Sequence, residues 1–95
     1  MTGEFSHLRS TIDLIRKAFP DGISDEDYAF VLRLFYDHLS DRNLADVISL
    51  TTGREPATAL NDIYRSASIP ESDRDLERVR SVLYEHGFEA WLDED

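Results

Sequence analysis

Apolar residues recur along this chain at alternating spacings of three and four, the period of a helix with one buried face. Phe5, Leu8, Ile12, Ile15 and Phe19 form the first such stripe and predict a helix over 5–19. Pro20-Asp21-Gly22 stops it, because proline disfavours helical geometry in the residue before it and glycine takes a positive φ at little cost. A second stripe, Tyr28, Leu32, Phe35 and Leu39, predicts a helix over 25–39. Residues on that helix are rotated by about 100° each, which puts Arg33 and Asp37 opposite the stripe and Phe30 and Leu34 on a second apolar face. A helix with two apolar faces belongs at the centre of a bundle. Leu44, Val47 and Ile48 predict a third helix over 41–52, ended by Gly53 in a left-handed cap. Leu60, Ile63, Tyr64 and Ala67 predict a fourth over 56–67, opened by Glu55-Pro56 and closed by Ile69-Pro70. Leu76, Val79, Val82 and Leu83 predict a fifth over 73–86, with Gly87-Phe88 as its ending. Beyond it, Trp91 is expected to fold back onto the bundle over Phe30 and Leu34.

The polar positions agree with these boundaries. A helix-start signal occurs at Ser24-Asp25-Glu26-Asp27, at Ser40-Asp41 and at Ser72-Asp73. In each, the serine hydroxyl is expected to accept from a first-turn N–H while the following acidic residues meet the positive end of the helix dipole. Ile23 and Leu39 stand in place to staple to Tyr28 and Leu44. The expected fold is all-α: one domain over residues 1–95, a compact bundle of four to five short helices joined by brief loops.

Charge narrows the function more than composition does. The net charge is −10, shared as −4 over residues 1–50 and −6 over residues 51–95. A field of that sign repels phosphate backbones and anionic lipids, so neither nucleic acid nor membrane is an expected partner, and a basic partner is favoured. The chain has no cysteine, which removes disulfides, thiol nucleophiles and thiolate metal sites. With no basic-then-apolar leader at the N-terminus and no apolar run long enough to span a bilayer, the expected location is cytoplasmic.

Candidate chemistry is sparse. His38 and His86 fall in the last turns of helices, where a ring N–H suits the unpaired carbonyls, and His7 lies on the first helix; a structural role is expected of all three. No zinc-binding His-Glu-x-x-His helix, Gly-x-Ser-x-Gly turn or glycine-rich phosphate loop is present. The acidic triplets at 25–27 and 93–95 lack the ligand alternation and central glycine of a calcium loop. The third and fourth predicted helices resemble a helix-turn-helix in outline, but the would-be reading helix offers a single basic residue, Arg65, beside Asp62.

In combination, Phe19-Pro20-Asp21-Gly22 with Tyr28 beyond it, Leu39-Ser40-Asp41, and Arg78-Val79-Arg80 through Leu83 to Gly87-Phe88 are distinctive. Across residues 12–91 the chain resembles a small actinobacterial family catalogued as a domain of unknown function. The resemblance implies a helical bundle of four or five helices and brings no activity, cofactor or site residue.

The expectation is therefore a non-enzymatic, acidic protein-interaction module, with no catalytic, cofactor or metal residues assigned. Its partner is expected to be another protein, with a homodimer as a possibility, met through apolar surface near Phe30, Leu34, Tyr36 and Trp91. For Phe30 and Leu34 themselves, coverage by Trp91 or by the fifth helix is favoured over exposure. Two alternatives stand beside this: a small-molecule pocket lined by Tyr28, Tyr64 or Tyr84, and a nucleic-acid-associated regulator.

Overall fold

A computed structural model describes the backbone of residues 3–93 and the side chains of residues 8–93. Six helices follow one another: α1 (Gly3–Ala18), α2 (Asp25–Tyr36), α3 (Asp41–Thr52), α4 (Pro56–Ser66), α5 (Arg74–Glu85) and a short α6 (Phe88–Leu92), with no strand among the described residues. The Ser24 and Ser40 hydroxyls accept from the Asp27 and Asn43 N–H groups at 3.2 and 3.1 Å, so the first two caps form as their sequences require. The third differs. Asp73, not Ser72, caps α5, its carboxylate accepting from Asp75 and Leu76 at 2.8 and 3.3 Å. A carboxylate at this place also meets the helix dipole, which a hydroxyl does less well.

Gly22 and Gly53 take φ values of 95° and 80°, and α1 stops at Ala18, immediately before Phe19-Pro20. α2 ends at Tyr36, short of the expected Leu39. Ser40 must be extended to cap α3 (ψ 156°), so the chain leaves helical geometry early and closes a turn in which the Leu39 N–H donates to the Phe35 carbonyl at 3.2 Å.

α2 is the central helix. It packs against α3, α4 and α5, while α1 closes the other side on α3, α5 and α6. Val31, Leu32, Phe35, Leu44, Ile48, Ile63, Leu76 and Leu83 are fully buried. Arg33, expected on the solvent face of α2, is instead covered by the α4–α5 connection: its side chain is 14% exposed, its Nε donates to the Ile69 carbonyl at 2.9 Å, and its guanidinium pairs with Asp37 and Glu71. The face of α4 also departs from expectation. Ala59, Ile63 and Ser66 point inward while Tyr64 and Ala67 are exposed, since small residues allow α4 close to α2 and α3 and the Ser66 hydroxyl donates to the Ile63 carbonyl at 2.7 Å.

The sixth helix was not visible in the pattern. Gly87, at φ 110°, turns the chain so that Phe88 and Trp91 enter the core. The Trp91 ring meets Phe35 edge-on at 5.0 Å between centroids and stacks with Phe88 at 5.6 Å. Its Nε1–H donates to the Thr11 hydroxyl on α1 at 2.7 Å, with Thr11 fully buried. The tail therefore does fold back, onto Phe35, His38 and Phe88.

Candidate functional site

The four residues expected to form one apolar surface do not do so. Leu34 and Trp91 are 6% and 3% exposed and belong to the core, and Phe30 is partly buried against it. The physical reason is the central position of α2: neighbours on several sides consume an apolar arc wider than a single core face needs. Tyr36, at the C-terminal end of α2, is likewise partly buried against the core.

A groove lies between α3 and α4. Gly53 ends α3 in the left-handed conformation, Pro56 opens α4 three residues later, and this tight turn makes the two helices neighbours. Ala45, Pro56, Ala57 and Leu60 provide apolar lining for a solvent-open space of about 560 Å³. Asp41, Arg42, Asp46 and Tyr64 complete it. The small side chains create the space, because alanine at 45 and 57 leaves unfilled what a longer residue would occupy.

The charges around this groove are arranged by local structure. Ser40 already serves the Asn43 N–H, so the Asp41 carboxylate is not needed as the α3 cap, and Asp41 lines the groove with Tyr64. Desolvation against the groove wall, the adjacent Asp41 carboxylate and the nearby Tyr36 raise the Tyr64 hydroxyl above its ordinary pKa of 10.0. Tyr64 remains 52% exposed. Asp46 is exposed and, like Arg42, forms no ion pair with a described residue.

On the inner side of α4 lies a related cluster with all its parts present. The Tyr28 hydroxyl donates to Asp62 at 2.9 Å, the Arg54 guanidinium covers the Tyr28 ring at 3.9 Å, and the same guanidinium is 3.6 Å from Asp25. Burial, then the hydrogen bond to Asp62 and its charge, push the Tyr28 hydroxyl far above its ordinary pKa. This cluster ties the α3–α4 turn to α2 and is fully used by the fold.

Of the tyrosines expected to line a pocket, Tyr64 does; Tyr28 is buried beneath Arg54, and Tyr84 is half-exposed on α5 with its ring edge-on to Phe88. The His86 Nδ1–H donates to the Val82 carbonyl at 2.8 Å, the helix-end role expected of it, and His38 sets its ring edge-on to Trp91 and Phe88. The side chain of His7 and most of the triplet at 93–95 lie outside the described residues. Asp25 and Asp27 of the first triplet pair with Arg54 and Arg78. No group of three metal-ligating side chains occurs among the described residues, and none of the helices described is long and apolar enough to cross a membrane.

Comparison with known proteins adds the lineage of this helical frame. A family described as a protein of unknown function, DUF3349, matches the chain over residues 6–91. The chain belongs to the DUF3349 family. That match runs from within α1 to Trp91 in α6, so the groove lies wholly within the DUF3349 domain. No curated protein and no solved structure matches the chain.

Sequence reasoning named Tyr64 as a pocket residue but missed Asp41, Asp46 and Leu60 beside it. Pro56, Leu60 and Tyr64 recur at intervals of four and mark one stripe of α4, as Arg42 and Asp46 do on α3, so both rows were present in the pattern. Their meeting across a turn was not.

Proposed function

We propose that this domain is a non-enzymatic docking module that receives a segment of another protein in the groove between α3 and α4. One observation carries this reading: the groove joins an apolar lining to an exposed tyrosine and two carboxylates, that of Asp46 exposed and that of Asp41 partly so, the mixture from which protein-recognition surfaces are made. Its openness suits an extended segment better than an enclosed small molecule. A chain carrying −10 charges disfavours nucleic acid and lipid surfaces, and one without cysteine suits a reducing compartment such as the cytoplasm.

Site-specific photo-crosslinking tests this directly. A photoreactive amino acid replaces Ala57, in the groove, or Ser81, on the exposed side of α5, in cells that make the protein. The expected result is a discrete protein adduct from position 57 alone, whose purified partner loses binding to the Leu60→Glu variant. Identical adducts from both positions, or full binding to folded Leu60→Glu, would overturn the reading.

A further inference from the structure

Resting on that docking reading, we infer that the groove seats an arginine side chain of the incoming segment, held between the Tyr64 ring and the carboxylates of Asp41 and Asp46. The protein contains its own template for such a seat. At Tyr28, a tyrosine hydroxyl is bonded to one aspartate while a guanidinium covers the ring and reaches a second aspartate, Asp25. On the outer side of α4 similar parts are gathered in one groove: the half-exposed Tyr64 ring and two aspartates, Asp41 and Asp46. What the second cluster lacks, among the described residues, is a guanidinium over the ring.

The chain's own arginines do not supply it. Arg65 lies 4.0 Å from Asp62, on the template side, and the only guanidinium found over an aromatic ring among the described residues is that of Arg54. Arg42 lines the same groove without an ion pair to a described residue, so its charge competes with an incoming cation. Arginine fits better than lysine, because a planar guanidinium can lie on a ring and fork to carboxylates at once, whereas an ammonium is a hydrated point charge. A second copy of this chain is a poor occupant, since it would bring another −10 charges to an acidic groove.

The test uses the whole chain, uniformly ¹⁵N-labelled, titrated into the millimolar range with the pentapeptide acetyl-Ala-Leu-Arg-Leu-Ala-amide. Its twin carries citrulline, which keeps the shape of arginine and removes the charge. The arginine peptide is expected to shift the amides of residues 41–46 and 57–64, with the citrulline peptide binding about tenfold more weakly. Tyr64→Leu and Asp46→Asn should each weaken the arginine peptide by about two- to fivefold. Arg42→Ala should tighten it, because a competing positive charge has gone; a residue acting only on the fold would not do so. Equal binding of both peptides in the groove would overturn the arginine seat and leave docking standing. Absence of shifts there with the arginine peptide would also overturn the seat, and the crosslinking experiment then decides separately whether the groove docks a partner.

Discussion

Trp91 is the residue for which sequence and structure lead to opposite experiments, and its replacement has a size that can be worked out. As part of a partner surface, its loss would spare the fold. In the structure it is 3% exposed, packs on Phe35 and Phe88, and donates its Nε1–H to the buried Thr11 hydroxyl. Truncating a buried tryptophan to alanine costs about 3–5 kcal/mol, and two aromatic neighbours place Trp91→Ala toward the upper end. A domain of this length has about 5–14 kcal/mol of stability in all, so the melting temperature should fall by about 15–30 °C.

Gentler variants separate the plug from the hydrogen bond. Thr11→Val keeps the shape of the α1 side and orphans the indole N–H, costing about 1–3 kcal/mol. In a double-mutant cycle with Trp91→Phe, the pair should cost less than the sum of its parts by about 1 kcal/mol. Urea unfolding followed by far-UV circular dichroism is the suitable assay, since Trp91 is the only tryptophan and its fluorescence disappears with the mutation. Additive effects below about 0.5 kcal/mol for both single variants would refute the claim that α6 is anchored to α1 through this bond.

Three further predictions address the frame. Asp73→Ala should destabilise by about 1–2 kcal/mol while Ser72→Ala stays within about 0.5 kcal/mol, by thermal melts of the two variants, because only Asp73 caps α5. Arg33→Ala should cost about 1–3 kcal/mol and raise amide exchange across residues 67–73, since the Ile69 carbonyl loses its donor and the α4–α5 connection its anchor. Burial and the hydrogen bond to Asp62 raise the Tyr28 pKa in the folded state above its ordinary 10.0, so the folded chain binds a proton that the unfolded chain releases. That stability is complete below pH 10 and is lost as pH rises from there towards the raised native value; Tyr28→Phe should flatten this alkaline limb in unfolding experiments run across that range.

Much of the frame was legible along the chain because its causes are local. A serine cap, a left-handed glycine and a proline at the first helical position act within a few residues, so the bounds of α3 and α4 are read almost directly from Ser40, Gly53 and Pro56. The centrality of α2 follows as simply, from apolar residues on two faces of one helix.

Tertiary structure decided what those faces meet. Nothing near Arg33 in the sequence announces Ile69, and nothing near Trp91 announces Thr11, eighty positions away. The apolar surplus on α2 left open whether it served a partner or the core until three neighbours covered it, whereas Tyr64, which read as part of the α4 stripe, was left half-exposed because Ala59, Ile63 and Ser66 already filled the inner face of α4. Burial depends on the volume left between packed elements, a quantity that no periodicity carries. The sequence by itself determined where α2, α3 and α4 begin and that α2 is apolar on two faces; only the fold decided which side chains the packing covered and which it left to line the groove.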